Sequence, residues 1–301
     1  GAVSGQLSEM INEENIRFIY QIMPGYSSDV TIYVALIFAI IVVSWLLSFL
    51  GVIFTYSDFR LHKTKEELII TRGLFEKKHI TVPYDRIQAV RFVEGVIRQP
   101  FGYGMIYVES AGFDQSQKGR SIVLAPYISA RAVSSFLNEF LTEYEEPEYR
   151  FKPPKKALFR YIRRPNYFLL LLIPVLWYFL NRGWLSLMLI PVLTILGWMR
   201  YKDAAVGFNN DILRMRYRTI SRTTAIMKKN RIQAADLLQN PFQIRKDLVN
   251  FSATAASGAG GMNFGVEDLG NEDSLHIYDW VAAEKNIDRQ HEGEEQNGTV
   301  T

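Results

Sequence analysis

A single uncharged apolar run limits what this chain can fold into. Residues 30–55 read VTIYVALIFAIIVVSWLLSFLGVIFT, 26 residues without one charged side chain. As a helix rising about 1.5 Å per residue, the run can cross a hydrocarbon layer of about 30 Å with some tilt. A soluble helix of this length nearly always has a polar face. The run therefore predicts a transmembrane helix over residues 29–56, and it is too long for a secretory signal.

A second apolar block lies between residues 166 and 199. The polar triplet Asn181-Arg182-Gly183 divides it into arms at 166–180 and 184–199, and each arm contains the segment LIPVL. Since Asn and Gly favour turns, the block predicts a hairpin of two short helices. Each arm covers only about 22–24 Å, so the hairpin either crosses the bilayer or re-enters it. One long kinked helix over residues 167–199 is the alternative.

The distribution of charge predicts a topology. Excess Lys and Arg near the ends of apolar segments marks the cytoplasmic side of a membrane. Residues 151–164 hold six basic and no acidic side chains, and Arg200 and Lys202 follow the hairpin. Both ends of the hairpin are therefore predicted to face the cytoplasm. We interpret the six basic residues as a membrane anchor: Lys152, Lys155, Lys156, Arg160, Arg163 and Arg164.

The chain repeats itself after 145 residues. Residues 86–89 read Arg-Ile-Gln-Ala, and so do residues 231–234, each set lying at the same distance beyond an apolar block. In an extended segment the side chain of Ile87 points away from those of Arg86 and Gln88, so it is predicted to face a core. Arg86 then either ties down a strand turn or contacts a ligand together with Gln88.

Each repeat is predicted to consist of β-strands followed by one helix. Short β-branched and aromatic segments between turn residues are typical of strands. They lie at 66–73, 77–84, 87–94, 104–112 and 120–127 in the first copy, and at 212–219, 221–228, 232–239 and 249–257 in the second. An apolar stripe predicts an amphipathic helix over residues 129–144, with a counterpart at 277–286. The glycine-rich residues 258–273 are predicted to be a loop, and residues 287–301 a disordered tail.

Together these segments resemble a known family. The segments ITRGLFEKKHITVPYDRIQAVRFVEG and RQPFGYGMIYVESAG, after a membrane helix, are similar to the bacterial pleckstrin-homology-like (PH-like) domains of YdbT-type membrane proteins. The resemblance implies an α+β membrane protein with two PH-like antiparallel β-barrel domains, each capped by a C-terminal helix. It implies no catalysis.

The resemblance also divides the chain into segments. They are an N-terminal segment 1–28, a transmembrane helix 29–56, a first PH-like domain 57–147, a basic linker 148–165, a hairpin 166–200, a second PH-like domain 201–286 and the tail 287–301. Such proteins often carry further copies upstream. Residues 1–22 are therefore interpreted as the tail of an earlier copy, with a short external segment as the alternative.

Cationic side chains in both repeats are candidates for contact with anionic lipid, which attracts a Lys or Arg near the bilayer by about 1 kcal/mol. In the second copy Arg214, Arg216 and Arg218 alternate with apolar residues and share one strand face. An ordinary solvated strand face is the alternative in both copies. The candidate set for lipid or ligand contact is Arg72, Lys77, Lys78, Arg86, Gln88, Arg98, Arg214, Arg216, Arg218, Lys228, Lys229 and Arg231.

Composition and motifs argue against several classes of function. The chain has no cysteine, a net charge of only +3, and four histidines without metal-site spacing. It has no phosphate loop, nucleophile elbow or zinc-protease motif. We therefore expect no catalytic residue, cofactor, metal or nucleic-acid partner.

The predicted function is a non-enzymatic scaffold at the inner face of the bacterial cell membrane. The family resemblance implies a role in envelope maintenance or stress defence. Its expected partners are membrane lipids and either a protein partner or further copies in a homo-oligomer. An accessory component of a transporter or channel is the alternative, although a transport pathway would call for ionisable residues within the spans. A lipid-modifying enzyme is a third hypothesis.

Overall fold

The computed structural model describes residues 30–74, 76–111, 121–144, 146–179, 183–257 and 261–283. These residues form two compact units. One consists of residues 30–58 with the short stretch around residues 73–76, and the other of the remaining described residues. The predicted N-terminal segment 1–28 and the predicted tail 287–301 lie outside the described residues.

The first unit is built on helix α1, Val30–Tyr56. Over residues 35–55 its apolar side chains are exposed, with Phe38 at 67% and Trp45 at 65%. An apolar surface of this extent marks contact with lipid or with another protein. The stretch Ala35–Tyr56 is long and apolar enough to cross a membrane. Helix α1 thus fits a transmembrane helix, as the uncharged run predicted.

The first repeat consists of short antiparallel strands and one helix. They are β1 (Arg60–Lys63), β2 (Glu67–Arg72), β3 (Lys78–Pro83), β4 (Ile87–Glu94), β5 (Tyr103–Ser110), β6 (Ile122–Ser129) and α2 (Val133–Phe140). Strands β1, β2 and β3 form one sheet, and β4, β5 and β6 belong to another. The short strand β1 was not predicted, and α2 is shorter than the predicted helix over residues 129–144.

Two helices follow the first repeat and pack side by side. Helix α3 covers Lys155–Phe179 and therefore begins inside the basic stretch, while α4 covers Leu189–Asp203 after a 3-10 segment, Gly183–Met188. Gly197 of α4 lies so close to α3 that an added Cβ would come within 2.5 Å of the Tyr161 carbonyl oxygen. A small residue at this position permits the close approach of the two backbones. Gly183–Asp203 is, by length and composition, a second candidate membrane span.

The second repeat follows the order of the first. Its elements are β7 (Ala205–Phe208), β8 (Ile212–Arg218), β9 (Arg222–Lys228), β10 (Ile232–Leu238), a short helix α5 (Pro241–Ile244), β11 (Leu248–Ala255), β12 (Met262–Gly270) and helix α6 at residues 271–283. Strands β10, β11 and β12 form a sheet of their own. The short strand β7, like β1, was not predicted.

The prediction of a loop over residues 258–273 is wrong for its described part. Strand β12 occupies Met262–Gly270, and its side chains of Phe264 and Val266 are fully buried. Gly265 separates them, and glycine weakens the strand signal because it has no side chain to pack. Helix α6 likewise begins at residue 271, earlier than the predicted residue 277.

The two repeats share one six-stranded antiparallel sheet, ordered β6-β5-β4-β9-β8-β7. The prediction of β-barrel domains is wrong in this respect, because the described strands form three open sheets and no closed barrel. A sheet closes into a barrel only when its edge strands pair with each other. The outer edge of β4 pairs with β9 of the other repeat instead.

The hydrophobic cores cross the boundary between the repeats. The core of the first repeat includes Ile212 and Ile226 from the second. The core of the second repeat includes Ala89 from the first, together with Ala157 and Tyr161 of α3. Full burial of an aliphatic side chain contributes about 1.5–3 kcal/mol. These shared residues therefore couple the two repeats to each other and to the base of the hairpin.

Candidate functional site at the seam and the hairpin base

The pairing of β4 with β9, which we call the seam, joins the two repeats. Strand β4 begins at Ile87, within the first Arg-Ile-Gln motif. Its register runs from Ala89 opposite Met227 to Glu94 opposite Arg222. Val90 and Ile226, which face each other across it, are both 2% exposed. The seam is therefore a buried ladder, with backbone hydrogen bonds and packed side chains in the same place.

A network of ion pairs lies at the Glu94 end of the seam. The Glu94 carboxylate, whose side chain is 3% exposed, accepts two hydrogen bonds from the guanidinium of Arg222. Arg218 donates to the Asp203 carboxylate at 2.5 Å and to the Gln99 side-chain oxygen of the first repeat at 2.6 Å. The hydrogen bond that Arg222 donates to the Glu94 carboxylate is the main cause that raises the pKa of Arg222 above its ordinary value. The two arginines therefore join the repeats, Arg222 through Glu94 and Arg218 through Gln99.

The other two arginines of β8 contact the linker that precedes the hairpin. The guanidinium carbons of Arg214 and Arg216 lie 4.2 Å and 4.5 Å from the centre of the Tyr149 ring. Arg214 also donates to Glu146 at 3.0 Å, and Arg216 donates to the Asp203 carbonyl at 2.7 Å. The alternation predicted for β8 is confirmed, since Leu213 and Met215 on its opposite face are buried. The arginine face is occupied by protein contacts.

The remaining lipid-contact candidates do not form one patch. Arg72, Lys77 and Lys78 lie at the turn between β2 and β3, whereas Arg86 follows the other end of β3. Strand β3 has six residues, which at about 3.3 Å each places roughly 20 Å between the two groups. Four of these candidates have exposed side chains: Lys77, Lys78, Arg86 and Arg98. Arg72 and Arg231 are half-buried, and Gln88 is buried.

Two lysines at the end of β9 contact side chains of both repeats. Lys228 pairs with Glu143, and its ammonium lies 5.4 Å from the centre of the Tyr144 ring. Lys229 lies 5.0 Å from the centre of the Trp280 ring of α6. They line a polar cavity of about 600 Å³ whose walls also include Asn209 and Asp211. Acidic and amide groups beside these lysines reduce their attraction for anionic ligands.

The Arg-Ile-Gln motif has a structural place in each repeat. Ile87 and Ile232 are 1% and 4% exposed and belong to the two cores, which confirms the predicted inward direction of the isoleucine. The backbone carbonyl of Arg86 accepts a hydrogen bond from the Ala111 amide at 3.1 Å, while its side chain is exposed. The Tyr144 hydroxyl donates to the Ile87 carbonyl at 3.0 Å. Backbone atoms of the motif thus hold the start of β4 in place.

The base of the hairpin is fixed to the second repeat by a buried carboxylate. Asp268 of β12 is fully buried and accepts hydrogen bonds from Arg160 at 2.9 Å and from Arg164 at 3.1 Å. Gln243 of α5 donates to the same carboxylate at 2.7 Å. We call Arg160, Arg164, Gln243 and Asp268 the anchor cluster. Because charged pairs with extra hydrogen bonds are the ones that tolerate burial, this cluster holds α3 against β12.

The six predicted anchor residues therefore form two groups, one in contact with the second repeat and one exposed. Arg160 and Arg164 face the second repeat, whereas the side chains of Lys152, Lys155, Lys156 and Arg163 are exposed. The guanidinium of Arg163 lies 5.3 Å from the ring centres of both Phe159 and Tyr167. Basic residues flanked by aromatic rings are typical of the interface between membrane and water.

Sequence reasoning did not identify the buried acids that organise these contacts. Glu94, Asp203 and Asp268 are all at least 92% buried, and each accepts hydrogen bonds from an arginine. The sequence did contain an indirect signal for Asp268. Residues 151–164 have no acidic side chain, so any arginine of this stretch that becomes buried needs an acidic partner from elsewhere in the chain. No group of three or more potential metal-ligating side chains occurs within the described ranges.

Comparison with known proteins agrees with this architecture. The family described as bacterial PH domain matches the chain twice, over residues 18–142 and 167–285. The chain is also 36% identical over 261 residues to the UPF0699 transmembrane protein YdbT of Bacillus subtilis (strain 168). The aligned region is 86% of this chain and 53% of that protein, so the chain spans about half the length of its curated relative.

Proposed function

Because the chain belongs to the bacterial PH domain family, we propose that it is a non-enzymatic scaffold anchored in the cell membrane. Both PH-like repeats lie on the cytoplasmic side in this proposal. The observation that carries it is the continuous connection from the hairpin base through the anchor cluster and the seam to the first repeat. Such a connection suits a platform that presents binding surfaces at a fixed place near the membrane.

Buried contacts connect α3 to the second repeat and the second repeat to the first. Tyr161 of α3 packs in the core of the second repeat, and its hydroxyl donates to the Glu267 carbonyl. At the seam, Ile226 of the second repeat packs in the core of the first. Buried joints of this kind resist the domain motions that small polar interfaces allow. A role in envelope maintenance or stress defence remains a prediction from the family resemblance.

Anionic lipid headgroups are the ligands we propose for the exposed cations at the hairpin base. Lys152, Lys155 and Arg163 are exposed there, and Arg163 lies between aromatic rings of the same helix. Each basic residue near an anionic membrane surface contributes about 1 kcal/mol of attraction. The candidates in β8 are engaged in protein contacts, so they contribute less to lipid binding.

We expect the triple variant Lys152→Gln, Lys155→Gln, Arg163→Gln to retain much less phosphatidylglycerol than the wild type. About 1 kcal/mol per cation corresponds to roughly a fivefold loss of headgroup affinity for each substitution. The measurement is mass spectrometry of phosphatidylglycerol and phosphatidylcholine bound to the detergent-purified full chain. The matched control, Lys77→Gln, Lys78→Gln, Arg86→Gln, removes three exposed cations of the first repeat and should change retention little. Equal retention of the two lipids by the wild type would contradict headgroup binding.

Thiol labelling can test the proposed topology, because the chain has no cysteine of its own. In the proposed arrangement the start of α3 faces the cytoplasm and the 3-10 segment Gly183–Met188 reaches the outer face. A membrane-impermeant maleimide applied to intact cells should therefore label a Leu185→Cys variant. It should label a Lys155→Cys variant only after permeabilisation. Protection of Leu185→Cys in intact cells would argue for a re-entrant hairpin and against a full crossing.

A further inference from the structure

Among the described strands, the two that correspond to the partners at the seam each have one edge without a strand neighbour. With the repeat distance of 145 residues, β3 (Lys78–Pro83) corresponds to β9, and β10 (Ile232–Leu238) corresponds to β4. Strands β9 and β4 pair with each other. Among the strands that the structure describes, β3 pairs with β2 alone and β10 pairs with β11 alone. Each repeat therefore has one strand that pairs across the seam and one equivalent strand that does not. Of the two pairings that the duplication allows, the described strands form one.

Burial shows what the missing pairing leaves exposed. Ile226 of β9 is 2% exposed, whereas Thr81, its equivalent in β3, is exposed. Val90 of β4 is 2% exposed, whereas Ala235, its equivalent in β10, is half-buried. The neighbouring Leu238 at the end of β10 is 63% exposed. Both positions are therefore more exposed in the strand that lacks the seam than in the strand that forms it.

We propose that β10 of one copy of this chain pairs with β3 of a second copy, in the antiparallel register of the seam. Transferring that register by the repeat distance places Ala235 opposite Thr81, and Asp236 opposite Ile80. The pairing rebuilds a six-stranded sheet from two three-stranded ones. Main-chain hydrogen bonds between exposed strand edges supply affinity in this mode, and side-chain contacts set the register.

Charge and composition of the two edges support this pairing. In the transferred register Asp236 lies diagonal to Lys78 on one face of the sheet, a distance that long side chains can bridge. Pro83 ends β3 at the position equivalent to Lys228. A proline confined to the last residue of a strand leaves the preceding edge able to pair.

The pairing has a direction, because the two edges differ. Contact between unlike surfaces is heterologous, so an open assembly of any size still presents the β3 edge of one copy at one end and the β10 edge of another copy at the other end. The copies therefore assemble head to tail, as a ring or as a row along the membrane. This inference is independent of lipid binding at the hairpin base, so either proposal can fail alone.

Disulfide crosslinking between differently tagged single-cysteine chains tests the pairing. Directly opposite residues in an antiparallel pair have Cα atoms about 4.5–5.5 Å apart, within the range that a disulfide spans. We expect full-length Thr81→Cys and Ala235→Cys chains, co-expressed and oxidised in membranes, to give a strong mixed dimer. Separate tags on two chains ensure that the crosslink reports contact between copies.

Two controls make the result specific. An intrachain Val93→Cys, Thr223→Cys pair, opposite each other at the existing seam, sets the oxidation conditions. An Asp236→Cys chain mixed with Thr81→Cys is shifted by one residue, which turns its side chain to the other face, and should crosslink at least several-fold less. Mixed dimers no stronger than this shifted pair, or dimers mainly of Thr81→Cys with itself, would overturn the proposal.

Discussion

Replacing Asp268 with alanine will lower the free energy of unfolding of the full chain by about 3–5 kcal/mol. Removing one partner of a buried ion pair leaves the other charge uncompensated, and Arg160 is only 10% exposed. Gln243 also loses one of the two acceptors of its side-chain amide, at 2.7 Å. The change should be measured by denaturant unfolding in detergent micelles. Protease cleavage at the start of α3 should become faster, because the helix is released from β12.

The neighbouring Glu267 provides the matched control for this prediction. Its side chain is 50% exposed and pairs with Arg164, and exposed pairs contribute about 0–1 kcal/mol. Glu267→Ala should therefore cost less than about 1 kcal/mol. Asp268 has a φ of 53°, a conformation that asparagine tolerates better than alanine. Asp268→Asn keeps the shape and removes the charge, and a cost as small as that of Glu267→Ala would contradict an electrostatic role.

Replacing Ile226 with lysine will destabilise both repeats by at least about 3 kcal/mol. The substitution removes a buried aliphatic side chain and places an unpaired ammonium in the core of the first repeat. Because Ile226 belongs to the second repeat, one change should lower the stability of both in parallel. Hydrogen exchange of β5 in the first repeat and of β8 in the second would report the two effects separately.

The internal repeat supplies a control at an equivalent position. Thr81 occupies the place of Ile226 in the first copy but is exposed on the free edge of β3. Thr81→Lys should change the unfolding free energy of the dilute, monomeric chain by no more than about 0.5 kcal/mol. Equal costs at the two positions would show that the burial of Ile226 does not depend on the seam.

Local patterns predicted the strands well where apolar and polar side chains alternate between the core and the surface. The alternation around Arg214 and Met215 predicted β8, and the central isoleucine of each Arg-Ile-Gln motif faces a core. The prediction failed at β12, although Phe264 and Val266 alternate as in a strand. The glycines at positions 258, 260, 261 and 265 give this stretch the composition of a loop, and glycine weakens the strand signal because it has no side chain to pack.

The candidate site was less accessible from sequence. Arg218 and Arg160 were assigned to ligand or membrane contact, but their buried acidic partners lie 15 and 108 residues away along the chain. The sequence gives the charge of a basic residue and, from the period of the strand or helix, the face of the element on which it lies. It does not show whether a carboxylate from another element occupies that face.

The sequence by itself determined the membrane helix, the duplication and most of the strands, because apolar length and alternation act within a few consecutive residues. Only the tertiary structure decided that β4 pairs with β9, that the barrels stay open, and that Asp268 holds the hairpin base. Strand edges pair through backbone groups that nearly every residue carries. The choice of partner therefore depends on which edges the rest of the fold brings together.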